Sequence, residues 1–282
     1  MVELHRATAR AHRREEWWFR TGRFIASHAL LLVLAVTMMI PFLWMVFASF
    51  KPLPEIESLR FLPEKWQPEN YGQVFEQIRF ARYYFNSIFI LQTLTSAMAA
   101  FAFARLRWPG RDTVFKLYLA TLMIPGVVTM IPNYTLMVKL GLLDSYAGLI
   151  VPASFSAFGT FLLRQFMLGI PRALDEAAAI DGAGHWRTFW EVILPLARPG
   201  LVTLAIFTFM GNYGSFFWPL VLIKSDALRT LPIGMLYFDS VYGRQTNLIM
   251  AASVMNITPL ILLFVSTQKY LVKGIQLGAV KG

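Results

Sequence analysis

The chain of 282 residues is 56% apolar and only 15% charged, with a mean hydropathy of +0.52. Soluble globular domains have about 25% charged residues, so the composition excludes a soluble domain and favours a membrane protein. The net charge of +10 would suggest a nucleic-acid partner if the basic residues shared one face. The basic residues lie instead in the gaps between apolar runs, so we expect no nucleic-acid partner. The absence of cysteine excludes disulfides, thiolate metal ligands and cysteine nucleophiles.

The N-terminal residues 1–23 are expected to form a solvated cytoplasmic arm. They hold six arginines but also three glutamates, and the apolar run that follows is too long for a cleavable signal peptide. Residues 24–267 are predicted to form one transmembrane domain, and residues 268–282 a cytoplasmic tail.

Six apolar segments are long enough to cross about 30 Å of hydrocarbon as helices. They lack the alternation of barrel strands, so the predicted fold class is an all-α membrane protein with six transmembrane helices. The predicted spans are residues 24–48, 87–104, 114–138, 145–163, 201–223 and 246–267. Prolines inside the third, fifth and sixth spans are expected to kink or interrupt these helices, which requires neighbouring protein or a water-filled cavity. They are Pro125, Pro132, Pro219 and Pro259.

Basic residues divide unequally between the two sets of gaps. One set holds 17 lysines and arginines, and comprises the arm, 105–116, 164–198 and the tail. The other set holds 9, and comprises 49–86, 139–144 and 224–245, while each set has 8 acidic residues. Because basic loops stay inside, both termini are predicted to be cytoplasmic. The outer loop 51–70 has four prolines and no helical period, and is suited to contact with another protein.

The inner loop of residues 164–200 contains an amphipathic segment. From residue 174 to 189, apolar and small side chains recur every three or four positions. The acidic residues 175–176 favour a helix start, and Gly182 and Gly184 are expected to break the helix before a second amphipathic stretch. Because a helix of about two turns is marginal alone in water, its small-residue face must be buried.

This loop carries a motif that resembles the EAA loop of bacterial ABC-importer permeases. Glu-Ala-Ala at 176–178 is followed by Gly182, then, after nine intervening residues, by Val192, where the family usually has isoleucine, and by Leu-Pro at 194–195. Four segments, distributed between residue 86 and the C-terminus, resemble the MalG-like, carbohydrate-type permeases. They are NSIFILQTLTSAMAAFAFARLRWPGRD (86–112), LGLLDSYAGLIVP (140–152), FLLRQFMLGIPRALDEAAAIDGA (161–183) and YLVKGIQLGAVKG (270–282).

The resemblance implies a type I ABC-importer permease fold in the bacterial inner membrane, with a coupling helix seated in a cytoplasmic ATPase subunit. The small residues would pack closely against the ATPase, and Glu176 would pair with one of its basic residues. The residues implied in coupling are Glu176, Ala177, Ala178, Asp181, Gly182, Leu194 and Pro195. The implied partners are a second, dissimilar MalF-like permease, a dimer of ATPase subunits and an extracytoplasmic solute-binding protein. An ordinary loop between helices is the alternative.

The sequence offers no energy source of its own. It has no GxxxxGK[ST] phosphate loop and no metal motif such as HExxH. We therefore expect no enzyme activity, metal or cofactor in this chain, and expect ATP and Mg to bind the partner ATPase. By the same resemblance, the tail at 278–282 would reach along the ATPase dimer interface; a frayed basic end is the alternative.

Polar or helix-breaking residues inside the spans are candidates for lining a substrate pathway. Amides and phenols suit sugar hydroxyls, although an asparagine in a span can equally join helices to each other. The candidates are Asn133, Tyr134, Asn212, Tyr213 and Asn256.

Two other classes of function remain open at this stage. An ion-coupled secondary carrier would need buried carboxylates or internal repeats, but the ionisable residues in the spans, His28 and Lys116, lie near span ends. An intramembrane enzyme would need a nucleophile with a base, or a metal cluster. The solute also stays open among oligosaccharides, polysaccharides including uronates, and glycerol phosphates or their diesters.

Overall fold

A computed structural model of the chain describes residues 2–58, 60–87, 91–240 and 243–279. The regular structure there is almost entirely helical, as predicted. Its sheet is a two-stranded antiparallel ribbon in which β1 (Asp239–Ser240) pairs with β2 (Gly243–Arg244).

The helices follow one another with short connections. In chain order they are α1 (Val2–Ala48), α2 (Leu53–Ile56), α3 (Glu69–Gln77), α4 (Phe80–Asn86), α5 (Leu91–Ala104), α6 (Arg111–Ala120), α7 (Met130–Lys139), α8 (Tyr146–Ala153), α9 (Ala157–Leu168), α10 (Ala173–Ile180), α11 (His185–Leu196), α12 (Arg198–Tyr213), α13 (Phe217–Leu222), α14 (Leu231–Gly234) and α15 (Thr246–Ala279). Within α11, Thr188–Ile193 form a π-helical turn.

Two described stretches are single helices long and apolar enough to cross a membrane. They are Gly22–Ala48 of α1 and Thr246–Gln268 of α15, which correspond to the first and sixth predicted spans. Two bent pairs pass the same test only together: α8 with α9, bent by 50°, and α11 with α12, bent by 81°. The fourth predicted span is therefore not one straight helix, because Ser156 starts α9 anew by accepting a hydrogen bond from the Gly159 amide.

The third predicted span is interrupted where expected at Pro125, but not at Pro132. The helical backbone ends with the 3₁₀ turn Thr121–Met123 and resumes at Met130. Pro132 lies in the first turn of α7, where a backbone N–H has no intrahelical acceptor, so proline fits without breaking the helix.

The other two prolines also sit within helices. The fifth predicted span breaks at residues 214–216, before Pro219, which lies in the first turn of α13. Helix α15 runs through Pro259 without interruption.

The first core cluster joins α5, α9, α11 and α12. Small side chains let these helices approach closely, since a Cβ on Gly159 would lie 2.8 Å from the Ser96 hydroxyl. A Cβ on Gly200 would lie 2.7 Å from the Phe166 ring. The buried members are Ala97, Ala100, Phe101, Ala104, Leu163, Met167, Phe189, Ile193, Ala197 and Leu204.

The second core cluster joins α3, α4 and α14 to α12 and α15, and it orders the predicted outer loops. Its buried members are Val74, Ile78, Phe80, Tyr83, Tyr213, Leu231, Phe238, Leu248, Ala251 and Ala252. The Tyr83 hydroxyl donates to Asp226, and burial, aided by this bond, raises the pKa of Tyr83 to about 12. The Asn70 amide donates to the carbonyls of Ser49 (2.9 Å) and Lys51 (3.0 Å), while its oxygen accepts from Asn247 (3.1 Å). The 51–70 loop is thus held by contacts within the chain.

Candidate functional site

Helices α10 and α11, residues 173–196, form one unit that we call the coupling segment, after the role implied by the sequence resemblance. Helix α10 has the two turns expected, and a hydrogen-bonded C-terminal cap at Gly182 ends it. The Gly182 amide donates to Ala179 O (3.1 Å) and the Ala183 amide to Ala178 O (2.9 Å). Gly182 has φ +76°, a left-handed conformation that favours glycine. The left-handed backbone at the end of α10 therefore explains why the motif has glycine at position 182.

Helix α11 fixes the second half of the coupling segment to the helix bundle. The side chains of Phe189 and Ile193 in its π-helical turn are almost completely buried in the first core cluster. The Phe189 ring lies 5.2 Å from the ring of Phe101 on α5. The predicted second amphipathic stretch is confirmed: this chain buries Phe189 and Ile193, whereas Trp186 and Trp190 are exposed.

Arg105, the residue after α5, holds the first half of the segment. Its Nη1 atom lies 3.0 Å from Oδ2 of Asp175 in α10. Its Nη2 atom donates to the carbonyl of Met167 (2.6 Å), in the last turn of α9, and to that of Ile170 (2.9 Å), two residues after this helix ends. One guanidinium therefore joins α5, α9 and α10.

The environment of Arg105 makes this ion pair costly to break. The Arg105 side chain is 4% exposed and that of Asp175 is 26% exposed. Burial lowers the pKa of Arg105, Asp175 raises it, and Arg172 lowers it further; arginine nevertheless stays charged at neutral pH. Removing one partner of a buried pair strands a charge and typically costs about 3 kcal/mol or more. The coupling segment should therefore move together with the ends of α5 and α9.

The implied coupling residues differ in their exposure. Glu176, Ala177, Asp181 and Gly182 are exposed, so a partner protein can reach them. Leu194 and Pro195 are half-buried. Ala178 is buried within this chain.

The exposed apolar surface of α10 includes a residue that the sequence reasoning missed. Ile180 is 86% exposed, and with Leu174 and Ala177 it repeats every three residues along the free side of the helix. Trp186 in α11 is 62% exposed. The sequence did offer a signal: Ile180 is a large hydrophobic residue that follows Leu174 and Ala177 at three-residue spacing.

A second feature is a cavity of about 220 Å³ between α5, α7, α8, α12 and α13. The predicted residues Asn133 and Asn212 line it, and the Asn212 amide donates to Gln92 Oε1 (3.2 Å). Ser215 and Trp218 also line it. Gln92 was missed although its polar side chain near the start of a predicted span was visible in the sequence.

The other three pathway candidates lie elsewhere. Tyr134 packs beside a small apolar cluster at Met137 and Leu222. Tyr213 is fully buried in the second core cluster, 5.7 Å from the ring of Tyr84, with its hydroxyl unpaired in the described part of the chain. Asn256, on α15, is half-buried and does not line the cavity.

Residues 92–276 match the family described as "Binding-protein-dependent transport system inner membrane component". The chain belongs to this family. Both the coupling segment and the cavity lie within the matched residues. The protein is therefore a membrane-embedded permease subunit of an ABC importer, and the family is one of permease subunits rather than enzymes.

Curated relatives of this permease family match along most of their length. The chain is 36% identical over 253 residues to the arabinooligosaccharides transport system permease protein AraQ of Halalkalibacterium halodurans, covering 86% of this chain and 91% of the relative. It is 35% identical over 268 residues to the diacetylchitobiose uptake system permease protein NgcG of Streptomyces coelicolor, covering 91% and 89%. The sn-glycerol-3-phosphate transport system permease protein UgpE of Yersinia pestis is 36% identical over 182 residues, covering 64% and 65%.

Solved structures support the same permease fold. A chain from the crystal structure of a bacterial ABC transporter involved in the import of the acidic polysaccharide alginate superposes with a TM-score of 0.78 at 26% identity. The match covers 87% of this chain and 95% of that chain. A chain of a bacterial alginate ABC transporter in complex with an alginate pentasaccharide-bound periplasmic protein has a TM-score of 0.60 at 14% identity, covering 90% and 98%.

The glycine cap predicts different effects for two neighbouring glycines. Gly182→Ala forces a Cβ into the left-handed region and costs about 1 kcal/mol or more. It should lower the Tm of the permease in detergent. Gly184→Ala is the matched control, because Gly184 has φ −70° and open space around its Cβ position. Equal Tm values for Gly182→Ala and the unsubstituted permease would contradict the cap.

Proposed function

We propose that the chain is the MalG-like member of a pair of dissimilar permeases in a bacterial inner-membrane importer of a sugar or oligosaccharide. Family membership supports the importer, and the coupling segment clamped to the bundle supports the mode of action. An ion-coupled secondary carrier, the alternative class, would have no use for such a segment.

The proposed topology has six spans and places both termini in the cytoplasm. Helices α1 and α15 supply the first and last spans. The four between them are supplied by α5, by α6 with α7, by α8 with α9, and by α12 with α13. The greater number of basic residues in the gaps on the coupling-segment side supports this orientation.

The proposed domain boundaries fall inside continuous helices. Helix α1 begins at Val2, within the arm 1–23, and α15 reaches Ala279, within the tail 268–282. The last three residues of the tail motif, 280–282, lie outside the described residues. The tail's contact with the ATPase dimer remains part of the proposal.

In the proposed cycle, a dimer of ATPase subunits binds ATP and Mg and moves the coupling segment as it closes. The exposed apolar residues Leu174, Ala177 and Ile180 would enter a cleft on the ATPase, and Glu176 would pair with a basic residue there. Because Arg105 ties the segment to α5 and α9, displacement reaches the spans directly. The resulting rocking would alternate access to the cavity between the two sides of the membrane.

The remaining proposed partners are a MalF-like permease and an extracytoplasmic solute-binding protein. A second permease would complete the pathway. The outer loop at 51–70 offers the binding protein an ordered surface, because contacts within the chain fix its conformation. Trp66 and Leu62 in this loop are more than half exposed.

The proposed cargo is a neutral sugar or oligosaccharide. The names of AraQ and NgcG refer to oligosaccharide uptake, while UgpE is named for a glycerol phosphate. The described residues lining the cavity include amides, a hydroxyl and an indole but no charged side chain. Amides match sugar hydroxyls and Trp218 can pack against a sugar ring, whereas a phosphate or uronate would find no cation there.

One prediction of the proposed function concerns the ATPase contact. Ile180→Asp and Glu176→Lys should each reduce co-purification of the ATPase subunits at least tenfold and abolish uptake, because they put a charge into an apolar cleft or reverse an ion pair. Tyr237→Asp is the matched control: Tyr237 is 53% exposed and lies in the predicted outer loop 224–245. Full co-purification and full uptake by Ile180→Asp and Glu176→Lys would overturn the proposed contact.

Another prediction distinguishes the role of the cavity from that of the coupling segment. Asn133→Ala and Asn212→Ala should each lower solute uptake by roughly tenfold, the effect of losing about one good hydrogen bond. Association with the ATPase should be unchanged. Thr135→Ala is the control, since Thr135 lies two residues from Asn133 on the same helix, is exposed, and bonds only to Ile131 O among the described residues. Uptake by the asparagine variants equal to that of Thr135→Ala would exclude this cavity from the pathway.

A further inference from the structure

Two adjacent cavities open between residues 105–113, which connect α5 to the start of α6, and residues 172–185, at and just before the first half of the coupling segment. The first, of about 520 Å³, is lined by Arg107, Arg111 and Arg172 together with Trp108 and Asp112. The second, of about 410 Å³, shares Arg107 and Arg172 with the first. The two cavities therefore meet at one pair of arginines.

The acidic group of the first cavity is already neutralised. Asp112 Oδ1 lies 3.0 Å from Arg111 Nη2 and 3.8 Å from Arg164 Nη2. The hydrogen bond from Arg111 is the main cause of the lowered pKa of Asp112, so this carboxyl stays ionised and paired. Arg111 also donates to Leu106 O (3.1 Å), which holds its guanidinium in place.

Arg107 and Arg172 are left as uncompensated cations. Both are exposed, and neither has an ion-pair partner among the residues that the structure describes. In the second cavity Asp175 is occupied by Arg105, and Glu176, which is exposed, lines only that cavity. The first cavity is therefore the more basic one and is suited to an anion.

An apolar surface leads away from the first cavity along α6. Trp108 is 37% exposed at its rim, and Val114 and Leu117, one turn apart on α6, are 45% and 66% exposed. Tryptophan is typical of the membrane–water interface. In the proposed topology this is the point where α5 leaves the membrane and α6 starts back into it. An anion with an attached apolar chain would match both the cations and the surface beside them.

We propose that the first cavity binds the phosphate headgroup of an anionic phospholipid of the cytoplasmic leaflet, with Arg107 and Arg172 as its cationic ligands. Guanidinium groups bind phosphate oxygens in a bidentate manner, and basic pockets between spans on the cytoplasmic side suit such headgroups. This lipid site goes beyond the proposed function and rests only on its topology. The apolar surface of α6 favours a lipid over soluble phosphate or an acidic segment of the ATPase.

The lipid site can be tested in the assembled importer reconstituted into nanodiscs. A photoactivatable phosphatidylglycerol should label residues 105–117, mapped by mass spectrometry, more strongly than the matching phosphatidylcholine probe. Each arginine near a membrane surface contributes roughly fivefold in affinity. Labelling at subsaturating probe should therefore fall about fivefold in Arg107→Gln or Arg172→Gln and roughly 25-fold in the double variant.

Three controls decide between the possible outcomes. The charge-preserving variant Arg107→Lys/Arg172→Lys should retain most labelling, and Arg198→Gln, which removes an exposed cytoplasmic charge elsewhere, should retain all of it. Equal labelling of the double glutamine variant and the unsubstituted chain would overturn the proposal. So would labelling that 10 mM inorganic phosphate abolishes, which indicates a soluble anion, or labelling that appears only without the ATPase subunits, which indicates a protein contact. Solute uptake of each variant reports separately on the proposed function.

Discussion

The guanidinium of Arg105 lies at the junction of three helices and gives the coupling segment its stiffness. Asp175 supplies the opposite charge, and the carbonyls of Met167 and Ile170 accept the other two hydrogen bonds. With 4% of its side chain exposed, Arg105 has almost no access to water, so a movement of α10 away from α5 would strand its charge. The buried Phe189 and Ile193 anchor α11 to the first core cluster, which α5 and α9 also form. A short helix that is marginal alone is thereby made part of the bundle.

The same helices connect this clamp to the cavity. Helix α5 has Gln92 near its first residue and ends just before Arg105, a separation of about 20 Å along a helix. Helix α12 begins two residues after the coupling segment and carries Asn212, which donates to Gln92, near its end. A rigid displacement of the coupling segment would therefore shift Gln92 and Asn212, which line the cavity. Bundle cores packed through small residues such as Gly159 and Gly200 transmit such shifts rather than absorb them.

Much of the helical layout and the glycine cap could be predicted from the sequence, because apolar periodicity and turn chemistry are local signals. The break at residues 154–156 and the uninterrupted passage of α15 through Pro259 could not, because local hydrogen bonds and tertiary packing decide them. Hydropathy also treats apolar residues alike, so it could not tell that Ala178 packs inward while Ile180 is free. Likewise, the sequence predicts Tyr213 to be a pathway residue, but in the structure its ring packs against Tyr84 and Phe209 in the second core cluster.

The most direct test of the account is a distance measurement across the clamp during the ATPase cycle. The chain has no cysteine, so spin labels at Ala179→Cys in α10 and Phe158→Cys in α9 would be unique within it. In the assembled importer, the distance between the labels should stay within about 2 Å with and without ATP, the scale of thermal motion. In the Arg105→Gln background its distribution should broaden. A shift of about one helical turn, roughly 5 Å, on ATP binding to the unsubstituted protein would contradict a coupling segment that moves with the bundle.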